Sequence, residues 1–156
     1  MEFKMNKEQI EKFLYSMNLI KNFKEIQDDN VHIQILNGEL YFNSLIKTLE
    51  SYCKKNNIYF DLIDFGIKGF LFNEIDSNGN IIEPKWYKEH LNRDTIVVLY
   101  NIPKNKYDKN VRMLNEIIKS SKIKGKKINK NLLFVILNDN DTLLEETGIN
   151  LFKITI

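Results

Sequence analysis

Ile10, Phe13, Leu14, Met17 and Ile20 recur at spacings of three and four, which predicts an amphipathic helix over about residues 6–23. A polar break at 27–30 (QDDN) precedes a strand at 31–36 (VHIQIL), which Asn37-Gly38 ends. Over 43–56 the pattern places Leu45, Ile46, Leu49 and Tyr52 or Cys53 on one helical face. A second, largely apolar strand spans 58–65 (IYFDLIDF), interrupted by Gly66 and Gly69. Two short extended runs then flank Ser77-Asn78-Gly79, a hairpin signal. Pro84 suits the first turn of a short helix, PKWYKEHL, because its missing N–H would be unpaired there anyway. The runs 95–100 (TIVVLY) and 132–137 (LLFVIL) are apolar on both faces and read as buried strands. Between them Val111, Leu114, Ile117 and Ile118 mark a helix over roughly 107–120, and 151–156 (LFKITI) is a last strand.

Strands alternating with helices predict an α/β fold, a three-layer sandwich around a mainly parallel five-stranded sheet with a small β-hairpin insertion. With no repeat, linker or low-complexity segment, residues 1–156 read as one domain: an N-terminal helix and connection over 1–30 and a core over 31–156. At 43 % hydrophobic and 28 % charged residues, the chain sits in the globular range. Cys53 is alone, which excludes a disulfide framework and a cysteine-built zinc site. No apolar run has the roughly 18–20 residues of a membrane helix. The start, MEFKMNKEQIEKF, has no leader pattern, so a cytoplasmic protein is expected. The abundance of Lys and Asn without Ala suggests an AT-rich genome, bacterial or phage.

The formal charge of +2 is too small to imply nucleic acid. Lys119, Lys122, Lys124, Lys126, Lys127 and Lys130 crowd one segment, but without aromatic residues to stack bases it reads as a solvated face. His32 reads as a satisfied histidine within its strand and His90 as an exposed residue ending a charged helix. They share no motif with each other, so no metal site is expected. Cys53 reads as a core residue, since nothing nearby would lower its pKa. Trp86 reads as an anchor for its short helix. Asp61 and Asp64, with Lys68, are too generic in spacing to specify a metal-dependent nuclease.

Ligands of parallel sheets bind beyond the carboxyl ends of the strands, which directs attention to 37–44, 65–69, 100–106 and 138–142. The first has the place and length of a phosphate-cradling loop. Such a loop needs glycines for close backbone approach and a lysine to neutralise phosphate. Here Gly38 is the one glycine and no lysine follows. Leu40, Tyr41 and Phe42 would fill the space, and Glu39 would repel an anion. The run 95–102 (TIVVLYNI) has the form of a Walker B strand, four apolar residues and then a pair. Tyr100 and Asn101 stand where that pair is acidic, and neither supplies the charge that magnesium or a general base requires.

From about residue 31 the order of pieces resembles the MoxR-like branch of the AAA+ ATPases, a group of P-loop NTPases. The matching segments are DSNGNIIEPKW (76–86), TIVVLYNI, VRMLNEIIKSSKIKGKKI (111–128) and LLFVILND (132–139). Asn138 falls where that family keeps the sensor asparagine that orients water, and GINLFKITI (148–156) resembles its N-R-F-x-x-I strand with Leu151 in place of arginine. The resemblance stops before the family's helical lid.

It implies a P-loop NTPase-like core whose ATPase motifs are degenerate, so hydrolysis is not expected. The expected role is a protein-binding or regulatory module without cofactor or metal. Its partner would be a protein, an intact AAA+ ATPase or a second copy. The alternatives are nucleotide binding without hydrolysis, with Gly38, Asn43 and Ser44 contacting phosphate, or weak nucleic-acid binding by the 119–130 lysines.

Overall fold

A computed structural model describes residues 2–27, 31–68, 74–75, 77–140, 144 and 151–156. The expectations for 28–30, Gly69, Asp76 and 148–150 lie outside the described residues.

Helix α1 (Lys7–Gln27) begins with a reciprocal cap. The Gln9 backbone N–H donates to Asn6 Oδ1 at 2.8 Å, and the Asn6 N–H donates to Gln9 Oε1 at 2.9 Å. The helix runs beyond the expected end at 23 because its apolar phase continues to Lys24, whose side chain lies inward. Then follow β1 (His32–Leu36), a short 3-10 turn (Gly38–Tyr41), α2 (Phe42–Lys55), β2 (Tyr59–Asp64) and the single turn α3 (Phe65–Lys68). Strands β3 (Glu74–Ile75) and β4 (Ile81–Ile82) pair antiparallel.

Pro84 is extended and sits just before α4 (Lys85–Glu89), one position earlier than expected. Strand β5 (Thr95–Tyr100) leads to α5 (Lys109–Ser120), whose Asp108 carboxylate accepts from the N–H groups of Asn110 and Val111. Strands β6 (Lys122–Ile123) and β7 (Lys126–Lys127) form a tight hairpin through Lys124 and Gly125, both at positive φ. Strands β8 (Leu132–Leu137) and β9 (Leu151–Thr155) complete the order of elements.

The main sheet runs β2-β5-β8-β1-β9, and every neighbouring pair is parallel. Both faces are covered. On one, α1 and α2 bring Phe13, Met17, Leu45 and Leu49 against Ile33, Ile35, Val98 and Val135. On the other, Trp86 of α4 and Val111, Leu114 and Ile118 of α5 cover Val97, Leu99, Phe134 and Ile136. Burial on both sides is why β5 and β8 carry unbroken apolar runs instead of alternation. Trp86 is fully buried, edge-on to Phe134 at 5.5 Å between ring centres, and so anchors its short helix.

One expectation about this layer is corrected. His90 is buried at 4 % exposure, not exposed. Its helix is only five residues long, so the ring folds back over Trp86 and Tyr87 and its Nδ1 lies 2.6 Å from the Tyr87 carbonyl oxygen.

Candidate functional site

The carboxyl ends of β1, β5 and β8 lie side by side and bring together the loop after β1, the Tyr100-Asn101 pair and Asn138. The α2 helix presents its first N–H groups to this place, as a phosphate-binding helix would. One of them, that of Asn43, is answered from within the chain. The Glu2 carboxylate accepts from the Asn43 backbone N–H at 2.6 Å and from the Asn43 side-chain amide at 2.7 Å. Ser44 Oγ accepts the Met5 N–H at 3.1 Å, and the Phe3 N–H donates to the Leu40 carbonyl at 2.8 Å. The segment before α1 is thus strapped across the loop. On the other side, the Asp139 carboxylate accepts the Asn37 N–H at 2.8 Å.

Gly38 is closely packed. A Cβ added there would stand 3.1 Å from both Ile35 Cγ2 and Leu137 Cδ2, tighter than ordinary contact. The bend that a phosphate would use is therefore tucked into the core. Asn37 takes the left-handed conformation at φ 63°, which asparagine tolerates better than most residues. Leu40 corrects the expectation that it fills the loop, because it is 43 % exposed. Phe42 does the filling, with its ring centre 4.9 Å from that of Tyr100.

Asn101 turns the other way. Its side-chain amide donates to Asp64 Oδ1 at 3.0 Å, an oxygen that also accepts the Gly66 N–H. A Cβ on Gly66 would come within 2.8 Å of the Asn101 amide nitrogen and carbonyl oxygen, so the close approach admits only glycine. Asp64 is thereby a structural acceptor at the end of β2. Asp61 is half-buried within the strand, and burial raises its pKa. Glu39 is raised as well, first by burial and then by Asp139, with Lys104 opposing.

Asn138 is 5 % exposed. Its Oδ1 accepts the Asn140 N–H at 3.0 Å, while its Nδ2 is buried without a partner among the described residues. Gln34, fully buried in β1, donates to the carbonyl oxygens of Asn138 and Asn140. His32 accepts the Phe134 N–H on Nδ1 at 3.0 Å, which places its own proton on Nε2. Burial, and then the nearby Lys24, hold His32 well below its ordinary pKa. Nε2 has no partner among the described residues, so the histidine is half satisfied, not fully as expected. Cys53 is a core thiol, pushed up to about 12 by burial and then by Glu50.

Magnesium and a nucleotide triphosphate do not fit these groups. The Asn43 and Asn37 N–H donors already hold carboxylates, and positions 100 and 101 hold a tyrosine packed on Phe42 and a neutral amide. Among the described residues no three His, Cys, Asp or Glu side chains are grouped to hold a metal. No helix among them is long and apolar enough to cross a membrane.

Glu2, Asp139 and Gln34 were not singled out by sequence reasoning. Gln34 carried a signal, a polar residue within an apolar strand. Glu2 and Asp139 carried none, because they act 41 and 102 residues away from their partners. Comparison with protein-family models, curated proteins and solved structures finds no match to this chain.

Proposed function

We propose that this chain is a P-loop-like domain without hydrolytic activity that works as a protein-binding or regulatory module. The observation that carries the reading is the occupation of the loop after β1. Glu2 and Asp139 supply, from within the chain, the negative charge that a phosphate would bring, and Phe42 on Tyr100 fills the adjoining space. The parallel sheet supports the reading by the neighbours it gives the loop. Strand β8 lies between β1 and β5, so Asn138 follows the strand between the loop and the Tyr100-Asn101 pair, which supports comparing it with a sensor residue. Support for a protein partner comes from α1. Tyr15, Leu19 and Ile26 are 65 %, 51 % and 78 % exposed, and their spacing of four and seven puts them on one outward stripe. The partner is an intact ATPase relative or a second copy.

Titration calorimetry with ATP, ADP and AMP, with and without magnesium, tests the reading. No binding is expected. Micromolar affinity for any of them would overturn it in favour of nucleotide binding at Gly38, Asn43 and Ser44.

A nucleic-acid reading draws on the β6–β7 hairpin. Its fixed turn sets Lys122 opposite Lys127, and like charges facing across a ladder are destabilising unless an anion relieves them. Lys124 is drawn aside by Glu83, 3.6 Å away, and by the Tyr87 ring. This hairpin is too short to argue for more than weak, salt-sensitive contact.

A further inference from the structure

A cavity of about 190 Å³ opens at the opposite end of the sheet, beside the amino ends of β5 and β8. Its apolar floor is Ile58, Ile96 and Leu133, and the side chain of Lys24 forms part of its wall. Lys24 is 6 % exposed, and lysine is rarely buried so deeply without a paired anion. Its Nζ donates to the carbonyl oxygens of Val31 at 3.1 Å and Leu132 at 2.6 Å. An ammonium carries three N–H donors, so one is left without a hydrogen-bond partner among the described residues.

Other charged groups around the cavity are Lys21 and Glu25 from α1, Asp94 ahead of β5 and Lys130 ahead of β8. With Lys24 protonated, the described residues lining the cavity include three cations and two carboxylates. His32, on β1 behind Lys24, is held neutral by its burial and by Lys24 itself.

We propose that this cavity binds a small organic carboxylate, whose anionic head pairs with the Lys24 ammonium and whose apolar tail lies on Ile58, Ile96 and Leu133. The volume sets the size. A dry apolar cavity of roughly 150 Å³ accepts benzene, so a single ring or a short alkyl chain fits and a nucleotide does not. The floor favours a tail over a fully polar ion, and Glu25 and Asp94 disfavour a dianion such as phosphate. Burial, opposed by Asp94, lowers the Lys24 pKa to about 7, so the unliganded protein holds this amine half-protonated near neutrality. A bound carboxylate draws the proton back, and binding takes up a proton above that pH.

The test is calorimetric titration of the whole chain with sodium hexanoate and sodium benzoate, with hexanol as the neutral comparison. Near pH 6 both carboxylates bind, and hexanol binds at least about tenfold more weakly. The carboxylate affinity falls about tenfold per pH unit above 7. Lys24→Met abolishes the preference for carboxylate over alcohol. Ile58→Phe, which leaves the amine in place and narrows the cavity, weakens both ligands and decides the matter if the first variant does not fold. Equal binding of hexanol and hexanoate, a pH-independent affinity, or no heat with either carboxylate would overturn the proposal.

Discussion

At the carboxyl ends of β1, β5 and β8 polar groups answer one another, whereas at the amino ends of β1 and β8 a lysine is buried against two backbone carbonyls beside a cavity. The first arrangement supplies anions to a place built from N–H donors. The second holds a cation whose hydrogen-bonded partners are two backbone carbonyls, with Asp94 acting on it through its charge. The difference teaches where an outside anion is of use. A helix N-terminus holding an internal carboxylate gains little from another, while a buried ammonium hydrogen-bonded to carbonyls gains from an anion small enough to reach it.

The largest effect that would sharpen this contrast is on the pH dependence of stability. With Lys24 lowered to about 7, the unfolded chain holds one more proton than the folded one between that pH and lysine's ordinary value. Stability therefore rises with pH above 7, by up to about 1.4 kcal/mol per unit, and below 7 the cost of burial is fully present. His32, held neutral by burial, lowers stability only as pH falls below its ordinary 6.5. The raised Cys53 thiol lowers it only as pH climbs past 9. Urea unfolding between about pH 7 and 9 thus reports on Lys24, and Lys24→Met flattens the slope. A flat profile in the unmodified protein would erase the contrast between the two ends.

At the opposite end, Gly38→Val forces a branched side chain onto Ile35 and Leu137 and is expected to cost about 1–3 kcal/mol. Unchanged stability in the same unfolding measurement would mean that the bend has slack and could open for a ligand. A smaller effect is expected from Glu2→Ala. Losing the two hydrogen bonds to Asn43 should cost about 1 kcal/mol, the usual worth of a helix cap, and speed hydrogen exchange at the Asn43 amide. Unaltered exchange there would show that the strap does not hold the helix start.

Legibility in the sequence followed burial. Strands β5 and β8 follow their apolar runs, 96–100 and 132–137, because a strand covered on both faces buries side chains of either parity. The β6–β7 hairpin was hidden because lysines occupy its visible positions and only Ile123 and Ile128 reach the core. His90 was misread because charge along its segment says nothing of a ring turned back on Trp86. In the candidate site, the placement of Gly38, Tyr100, Asn101 and Asn138 at neighbouring strand ends followed from the alternation of elements. The partners that answer them did not, since no local pattern joins Glu2 to Asn43 or Asp64 to Asn101. Lys24 shows a limit of periodicity. Its phase with Met17 and Ile20 marks the inward face of α1, but the depth at which the amine ends is set by where β1 and β8 start.

Among the described residues the sheet ends on β2 and β9, each paired on one side. Open edges invite further strands, and chains that stack through them grow into filaments. Asp61 stands inside β2 and Lys153 inside β9, so each border carries a charge where an incoming strand would have to lie flat. Replacing Asp61 with valine would remove from that border both a charge and the acceptor of the Leu62 N–H, and so favour pairing of β2 with another chain.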